Sequence, residues 1–407
     1  MARLRAHGDL VELRAADLRF TPDEAAAYFA AAAPDMDARA TAALVEKTDG
    51  WVAGLQLAAL SLRGYTDIQA RVKGFTGNDA FVLDYLVEEV LTRQPTELQR
   101  FLFTTAVLER LCGPLCDALT DDAPGSGQAM LEAIERANLC LIPLDSERRW
   151  YRYHHLFADM LRQRAAAHMD LPALHQRASQ WYEAHDLLTE AFGHAAAAGD
   201  LDAAERLLDG GGTPLAYRGA PAPVVRWLAS LPASVLNMRP ALWVAFASAG
   251  MISGEPMHGI EARLNAAETA LRLTDENAHA RDLIGQIAAI HGTLAINTGD
   301  AAALFTHSQQ ALDYLPEHRV ALRASALYTL GYAQQLRGER SAARQSYHAV
   351  LAISESTDNT LITIAVLTCL GQVEESDLYP DEAAAFFQRV LRLPTIRRLL
   401  PVKPISA

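Results

Sequence analysis

The sequence predicts an all-α protein with one small β-hairpin, and three observations support this fold class. From about residue 171 onward the chain is rich in alanine and has the apolar periodicity of amphipathic helices. Gly292, Gly331 and Gly371 lie 39 and 40 residues apart, which indicates a repeated helical hairpin. β-type residues are concentrated in one stretch, residues 139–153. A length of 407 residues allows two or three domains.

A small helical subdomain is predicted over residues 21–75. Its first helix begins at Thr21-Pro22-Asp23-Glu24, where threonine caps the helix, proline occupies the first turn and glutamate completes a capping box. A later helix is indicated by apolar residues at intervals of four, three and four: Trp51, Leu55, Ala58 and Leu62. We expect Gly64-Tyr65-Thr66-Asp67 to end or interrupt that helix.

Residues 76–170 have the pattern of a winged helix. Helices are predicted over Phe81–Leu91 and Glu97–Leu108, followed by a polar loop over Asp121–Gly127. A third helix is indicated by one apolar face: Met130, Leu131, Ile134 and Ala137.

The stretch that follows predicts the hairpin. Two β-type runs, Leu139–Leu144 and Arg149–Tyr153, flank the polar turn Asp145–Arg148. A final helix is expected after the pair His154-His155. Helix, hairpin and helix in this order form the layout of a winged helix.

A tetratricopeptide-like (TPR-like) α-solenoid is predicted over residues 171–393. Two copies of the repeat match in their offsets: Leu327, Leu330, Gly331, Ala343 and Tyr347 correspond to Leu367, Leu370, Gly371, Ala383 and Phe387. The offsets fit the tetratricopeptide pattern, although the period exceeds its usual ~34 residues. Because one hairpin cannot bury its own apolar face, we expect the hairpins to stack.

Composition and charge exclude several classes of protein. The sequence contains neither an apolar run near the ~20 residues that span a bilayer nor a secretory signal, so we expect a cytoplasmic protein without membrane contact. A formal charge of −13 disfavours non-specific binding to nucleic acid. Four cysteines do not make a disulfide framework. We expect them to be buried or half-buried thiols without a zinc site, with Gly113-Pro114 preventing a continuous helical face between Cys112 and Cys116.

Four passages together resemble one family, the MalT-like, LuxR-type ATP-dependent transcriptional regulators of the STAND class of signalling ATPases. The stretch Tyr151–Met160 is similar to the winged-helix segment of that family. Phe20–Ala25 is similar to the start of the family's helical subdomain, and Glu46–Ala58 to its helical-domain motif. Trp227–Pro232 and Arg239–Leu242 are similar to its superhelical sensor region.

The resemblance implies an internal fragment of such a regulator, covering the helical subdomain, the winged helix and the TPR-like sensor region. Residues 1–20 would then be the remnant end of a nucleotide-binding core, and residues 394–407 an irregular tail. No Gly-x-x-x-x-Gly-Lys-Ser/Thr loop occurs in the sequence. We therefore expect a regulatory portion without enzymatic activity, without a bound cofactor and without a metal, although full-length relatives use ATP and ADP.

His154 is the principal candidate site residue. The resemblance implies that it contacts the β-phosphate of ADP when an intact ATPase core is present. The residues alone leave two interpretations open: an anion-binding group at a helix start, or a helix cap packed on Tyr153. Gln56, in Gly54-Leu55-Gln56-Leu57, occupies the position of a proline that lies beside adenine in related ATPases. The alternative to an adenine contact is a purely structural role, in which this helix packs through Trp51 and Leu55.

Ligand binding is expected on the inner surface of the solenoid. First helices over Ile290–Asn297, Leu327–Leu336 and Leu367–Glu374 would expose Gln334 and Gln335 to a small-molecule inducer or to a protein or peptide. Self-association is compatible with such a surface. A stand-alone TPR-like interaction scaffold is the alternative function. The hairpin arginines are expected to face solvent or acidic neighbours and not DNA: Arg148, Arg149 and Arg152.

Overall fold

The computed structural model of the chain describes residues 18–34, 36–62, 67–137, 139–273, 277–356 and 360–393. It confirms the predicted class, since the described elements are helices and one two-stranded sheet. Two compact units are present: Met1–Leu187 with Ala197–Gly199, and Leu188–Ala196 with Asp200–Ala407.

The first unit begins with four short helices. They are α1 (Pro22–Ala32), α2 (Ala38–Thr48), α3 (Val52–Leu62) and α4 (Ile68–Gly74). The predicted capping box is present, because the Thr21 hydroxyl accepts from the Glu24 amide at 3.3 Å and the Glu24 carboxylate accepts from the Thr21 amide at 2.8 Å. The predicted break at 64–67 lies mostly outside the described residues; Asp67 caps α4.

The winged-helix region contains more helices than the sequence predicted. They are α5 (Ala80–Tyr85), a π-helical turn (Leu86–Leu91), α6 (Thr96–Thr105), α7 (Gly113–Thr120), α8 (Ser126–Arg136), α9 (His155–His168) and α10 (Leu171–Ala184). The helix expected to reach Leu108 ends at Thr105. Gly113-Pro114 opens α7, since proline is tolerated in the first turn, and Cys112 precedes the helix in extended backbone, so the two cysteines share no continuous helical face, as expected.

The two strands of the hairpin are shorter than the β-type runs in the sequence. Strands β1 (Leu141–Pro143) and β2 (Tyr151–Tyr153) pair antiparallel, with Ile142 opposite Arg152. A further bridge joins Tyr151 to Leu111, with reciprocal backbone bonds of 2.8 and 2.9 Å. Both tyrosines of β2 are buried, and the Tyr153 hydroxyl lies 2.7 Å from that of Thr105. The buried face of β2 therefore anchors the hairpin on α6.

Gly77, between α4 and α5, lies directly against the start of α9. A Cβ atom at this position would be 1.8 Å from the Leu156 carbonyl oxygen. The Gly77 amide also faces the Asp159 carboxylate at 3.4 Å. Only a residue without a side chain fits this approach of loop to helix.

The described elements of the second unit are all helices. Its α-helices are α11 (Leu188–Ala198), α12 (Leu201–Asp209), α13 (Pro221–Ser230), α14 (Ala233–Met238), α15 (Pro240–Ile252), α16 (Met257–Leu271), α17 (Ala278–Ala295), α18 (Ala301–Tyr314), α19 (Val320–Leu336), α20 (Arg340–Ser356), α21 (Thr360–Ser376) and α22 (Pro380–Arg392). From α15 onward, each successive pair packs as a helical hairpin on its neighbour.

The repeat glycines mark the contact between the two helices of a pair. A Cβ at Gly331 would lie 2.8 Å from the Tyr347 ring, and one at Gly371 would lie 2.5 Å from the Phe387 ring. In the earliest copy Ser308 occupies the aromatic position, and its hydroxyl lies 2.7 Å from that of Thr329. The predicted pairing of small and large residues is therefore present in two copies and modified in the third.

The first helices of these pairs begin earlier than predicted. Gly292, Gly331 and Gly371 lie towards the ends of α17, α19 and α21, not at their starts. The glycine marks a close contact, whereas a helix start is set by its cap; Asn277 caps α17 by accepting from the Ala280 amide. The expected bounds of the first helices were therefore too short.

The predicted domain limits are not tested by this structure. α10, which the sequence assigned to the solenoid, belongs to the first unit. Arg177 in α10 donates to the Leu119 carbonyl of α7 at 2.9 Å. Trp181 packs edge-to-face on Trp150 of the hairpin, with ring centroids 6.5 Å apart.

Substituting Ala343→Leu is expected to destabilise the protein by roughly 1–3 kcal/mol, because Ala343 is fully buried between paired helices and the added atoms have no space. Ala349→Leu, on the exposed side of the same helix, is the matched control. Urea or thermal unfolding of both variants measures the difference. Equal stability of the two would contradict the assigned helix contact.

Candidate functional site

The turn between α2 and α3 forms one side of the candidate site. Asp49 ends α2 in the left-handed conformation, with φ 48° and ψ 31°, and Gly50 follows with φ 69°. The Phe20 amide donates to the Gly50 carbonyl at 2.9 Å, and a Cβ on Gly50 would lie 2.6 Å from the Phe20 carbonyl oxygen. Glycine is therefore required for the turn to approach the segment before α1.

The histidine pair forms the opposite side. The His154 amide donates to the Cys140 carbonyl at 2.7 Å, which fixes the residue at the end of the hairpin. Its ring makes no capping bond to α9 and lies 3.0 Å from the Thr48 carbonyl oxygen through Nε2. His155 stacks on it at 4.6 Å and contacts the Lys47 carbonyl through its own Nε2. Because carbonyl oxygens only accept, both Nε2 atoms carry the proton.

Asp49 is the acid beside these rings. Its Oδ2 lies 3.0 Å from Arg152 Nη2, 3.7 Å from His154 Nε2 and 3.9 Å from His155 Nδ1. Burial opposes its ionisation, but the Arg152 guanidinium outweighs burial and holds the pKa of Asp49 below its usual value. Burial lowers the pKa of His154 to about 4 and also lowers the pKa of His155. Both imidazoles are therefore neutral at pH 7.

A cavity of about 720 Å³ opens in front of this cluster within the first unit. His154 and Asp49 line it beside Trp51, whose ring packs edge-to-face on His154 with centroids 5.8 Å apart. Gln56 of α3 lines the same cavity, together with apolar residues of the hairpin that include Leu141 and Ile142. The structure thus brings Gln56 and His154, two residues predicted from separate motifs, to one surface.

The same cluster meets the distance requirements of a metal site. One ligand atom from each of Asp49, His154 and His155 falls within 4.8 Å of the others. A cation would have to compete with Arg152 for Asp49, and both Nε2 atoms already donate to carbonyl groups. The predicted absence of a metal stays a prediction.

Gln334 and Gln335, the predicted groove residues, lie near the end of α19. Each is half-buried and accepts a hydrogen bond from the second helix of its own pair. Ser346 donates to Gln334 Oε1 at 2.8 Å, and the Tyr347 hydroxyl donates to Gln335 Oε1 at 2.8 Å. A ligand would have to displace these bonds to use either carbonyl. Their role in binding stays a prediction.

The hairpin arginines face acidic neighbours, as one interpretation of the sequence expected. Arg148 Nε lies 3.4 Å from Glu135, Arg149 Nη2 lies 2.8 Å from Glu147, and Arg152 pairs with Asp49. These ion pairs reduce the positive charge that a nucleic-acid surface would need.

Asp49 was missed by the sequence analysis. The available signal was the Asp49-Gly50 dipeptide after a helical pattern, which is typical of a turn with positive φ. Nothing local indicates that this turn meets a histidine about a hundred residues later in the chain. Pairing across that separation is set by the packing of the helical subdomain on the hairpin.

Comparisons with known proteins identify two regions of the chain. Residues 87–174 match the family model described as the MalT winged helix domain, and residues 285–405 match the MalT-like TPR region. None of the helices in the described ranges combines the length and the hydropathy of a membrane span.

Curated relatives of two kinds are similar to most of the chain. The serine/threonine-protein kinase PknK of Mycobacterium tuberculosis (strain ATCC 25618 / H37Rv) is 38% identical over 278 residues, 67% of this chain and 24% of that protein. The HTH-type transcriptional regulator MalT of Serratia proteamaculans (strain 568) is 30% identical over 346 residues, 83% of this chain and 38% of that protein. The matched part of the chain thus spans 24% and 38% of the length of these two relatives.

A solved structure shares the fold. It is a Signal Transduction ATPase with Numerous Domains (STAND) protein with a tetratricopeptide repeat sensor, from Pyrococcus horikoshii. The TM-score is 0.53 and the identity 13%, covering 94% of this chain and 61% of the other.

Acidification is expected to destabilise the first unit through His154. The unfolded state takes up a proton near the ordinary pKa of 6.5, whereas the folded state does so only near 4. The contribution of the neutral ring is therefore present above pH 6.5 and is lost as the pH falls towards 4, by about 2 kcal/mol at pH 5.

Urea unfolding between pH 7.5 and 5 measures this effect. His154→Gln, which can donate to Thr48 without titrating, should show a shallower loss of stability. His348→Gln, an exposed histidine of the second unit, is the control and should retain the wild-type slope. Identical slopes in wild type and His154→Gln would disprove the assignment.

Proposed function

This chain is MalT-like, with a MalT winged helix domain and a MalT-like TPR region, and we propose that it is the regulatory and sensor portion of a cytoplasmic ATP-dependent transcriptional regulator. In this proposal the superhelix receives a small-molecule inducer or a protein partner. The helical subdomain and winged helix pass that event to an ATPase core.

The observation that carries the proposal is the cavity shared by His154 and Gln56. Side chains of the helical subdomain and of the winged helix line it together. A nucleotide held between these two modules would contact both. Its release would then remove a connection between them, which is the property that a nucleotide-dependent switch needs.

The bonding of His154 supports a specific form of this switch. The Nε2 proton is donated to the Thr48 carbonyl at 3.0 Å, so a phosphate oxygen at the same position would compete for it. Asp49 would repel a phosphate, but Arg152 offsets its charge at 3.0 Å. We infer that His154 Nε2 donates to the Thr48 carbonyl when no nucleotide is bound and to a phosphate oxygen when one is bound. This change of partner would couple nucleotide binding to the position of α2.

We expect the chain by itself to show no micromolar affinity for ATP or ADP. The sequence lacks the glycine loop and lysine that supply most of the contacts to the phosphates in such ATPases. Isothermal titration calorimetry provides the measurement, with the STAND ATPase of Pyrococcus horikoshii as the positive control. Micromolar binding by this chain would mean that the cavity alone recognises the nucleotide.

The switch itself is tested in a chimera that carries this chain in place of the matching 346-residue stretch of the Serratia MalT protein. His154→Ala should weaken ADP and raise transcription without inducer. One lost charge-assisted hydrogen bond is worth about 1.5–3 kcal/mol, or roughly ten- to a hundredfold.

His168→Ala, at the other end of α9, is the matched control and should leave basal transcription unchanged. Reporter transcription and ADP affinity are measured on both variants. Unchanged values for a folded His154→Ala chimera would return His154 to a purely structural role.

A further inference from the structure

The turns inside the last helical pairs of the second unit share one backbone conformation. In the turns that follow α17, α19 and α21, one residue is left-handed: Gly299, Gly338 and Leu378, with φ of 65°, 77° and 65°. Each lies seven residues after the repeat glycine of its own helix. Corresponding positions of the repeat therefore carry glycine twice and leucine once.

The turn at Leu378 has the same hydrogen bonds as the turn at Gly338. The Gly338 amide donates to the carbonyl three residues earlier at 3.0 Å, and the Leu378 amide does the same at 3.1 Å. The next amide donates to the carbonyl five residues before it, at 2.8 Å in the first turn and 3.0 Å in the second. A helix end of this form usually takes glycine, because a Cβ atom is strained at positive φ. Leucine at this position therefore lowers stability relative to glycine.

Burial does not compensate for this strain. Leu378 is 86% exposed. Tyr379, at the N-cap of α22, is 53% exposed and makes no capping bond through its side chain. The corresponding residue of an earlier repeat, Asp300, caps α18 by accepting from the Ala302 and Ala303 amides. Two adjacent exposed positions thus carry large apolar residues where the local structure favours glycine and a capping side chain, which is typical of a functional position.

An ion pair places the neighbouring turn beside this one. Arg340 Nη1, at the start of α20, lies 2.8 Å from Asp377 Oδ1, just before Leu378. Leu336, the last residue of α19, precedes that neighbouring turn and is 45% exposed. Leu336, Leu378 and Tyr379 therefore form one exposed apolar edge of the second unit, the turn surface.

Carboxylates flank the turn surface. Glu375 of α21 and Asp381 and Glu382 of α22 are exposed, and none of the three forms an ion pair within the part of the chain that the structure describes. The arginines of the neighbouring turn and of α20 are already paired with carboxylates, at distances of 2.6 to 2.9 Å. The excess charge beside the turn surface is therefore negative. It favours a basic partner and disfavours a second copy of this chain, whose formal charge is −13.

We propose that the turn surface binds a protein segment that presents apolar side chains beside lysine or arginine. Leu378 and Tyr379 supply the apolar contact, and tyrosine is enriched in protein interfaces. The flanking carboxylates attract the basic residues. This inference names the class of protein partner that the sensor portion receives, and in that respect it rests on the proposed function. It places the partner on the edge of the superhelix and not at Gln334 and Gln335.

Fluorescence anisotropy on the full chain tests the class of partner with two labelled helical peptides. Both have leucine at the same positions, and the remaining positions are lysine in one and glutamate in the other. The lysine peptide should bind roughly tenfold or more tightly than the glutamate peptide, and its affinity should fall as the salt concentration rises.

Leu378→Gly separates a binding role from a structural one. Loss of the side chain should weaken binding of the lysine peptide roughly tenfold or more. Loss of the strain should raise the thermal midpoint by about 2–4 °C. Leu273→Gly removes another leucine that is 86% exposed and is the matched control for binding. It should leave the affinity unchanged.

The contribution of charge is tested by removing two carboxylates. The double variant Glu375→Gln, Asp381→Asn should weaken the lysine peptide and reduce its salt dependence. Glu261→Gln with Asp313→Asn removes two exposed carboxylates elsewhere in the second unit and is the control for net charge. Thermal unfolding of both double variants confirms that they are folded.

Each outcome decides the proposal. It is overturned if the lysine peptide does not bind, if both peptides bind equally, or if Leu378→Gly binds like the wild type. A lower thermal midpoint in Leu378→Gly would make Leu378 a structural residue. Self-association that Leu378→Gly abolishes in sedimentation would replace the basic partner by a second copy.

The assay needs no nucleotide, so its result is separable from that of the reporter chimera. A bound lysine peptide beside an unresponsive His154→Ala chimera would reject the proposed switch and retain the turn surface. A responsive chimera without peptide binding would do the reverse.

Discussion

Two consecutive carbonyl groups at the end of α2 hold the candidate site together. The last carbonyls of a helix lack intrahelical partners. Here the Lys47 carbonyl contacts His155 at the start of α9, and the Thr48 carbonyl accepts from the Trp51 amide and from His154 at the end of the hairpin. Asp49 continues the connection by pairing with Arg152 of β2 at 3.0 Å. The end of α2 is thereby fixed to the hairpin, and this contact forms one side of the cavity in front of Trp51.

The fold of the second unit depends on a different interaction, the burial of apolar faces between successive helical hairpins. The close approach of α19 to α20 needs the missing side chain of Gly331, and the Tyr347 ring occupies the space that this leaves. The same arrangement recurs with Gly371 and Phe387, whereas the copy with Ser308 uses hydroxyl groups instead. Before these regular repeats, the buried Arg319 guanidinium pairs with Asp282 of α17 and Asp209 of α12, so ionic contacts also join the helices there.

Features that depend on neighbouring residues were predictable from the sequence. The capping box at Thr21 and the hairpin before His154 are examples, and repetition of Gly331 and Gly371 indicated the stacking. Helix bounds were less predictable because a repeated glycine records a contact and not a helix end. Within the candidate site, Asp49 went unnoticed, since its partners Arg152 and His154 are far away in the chain and meet it only after the helices pack. Gln334 looked available in sequence because the hydroxyl of Ser346, in the second turn of the next helix, could not be placed beside it.

Gly77 has no side chain and lies outside the cavity lining, yet it limits which sequence changes the first unit can accept. The 1.8 Å separation that a Cβ would have from the Leu156 oxygen leaves no room for even the smallest side chain. Among descendants of this sequence, substitutions at position 77 should therefore survive only beside compensating shifts of α9. Since α9 begins with the histidine pair, such shifts would also displace the cavity. A substitution at this one loop position would therefore change the geometry of the whole candidate site.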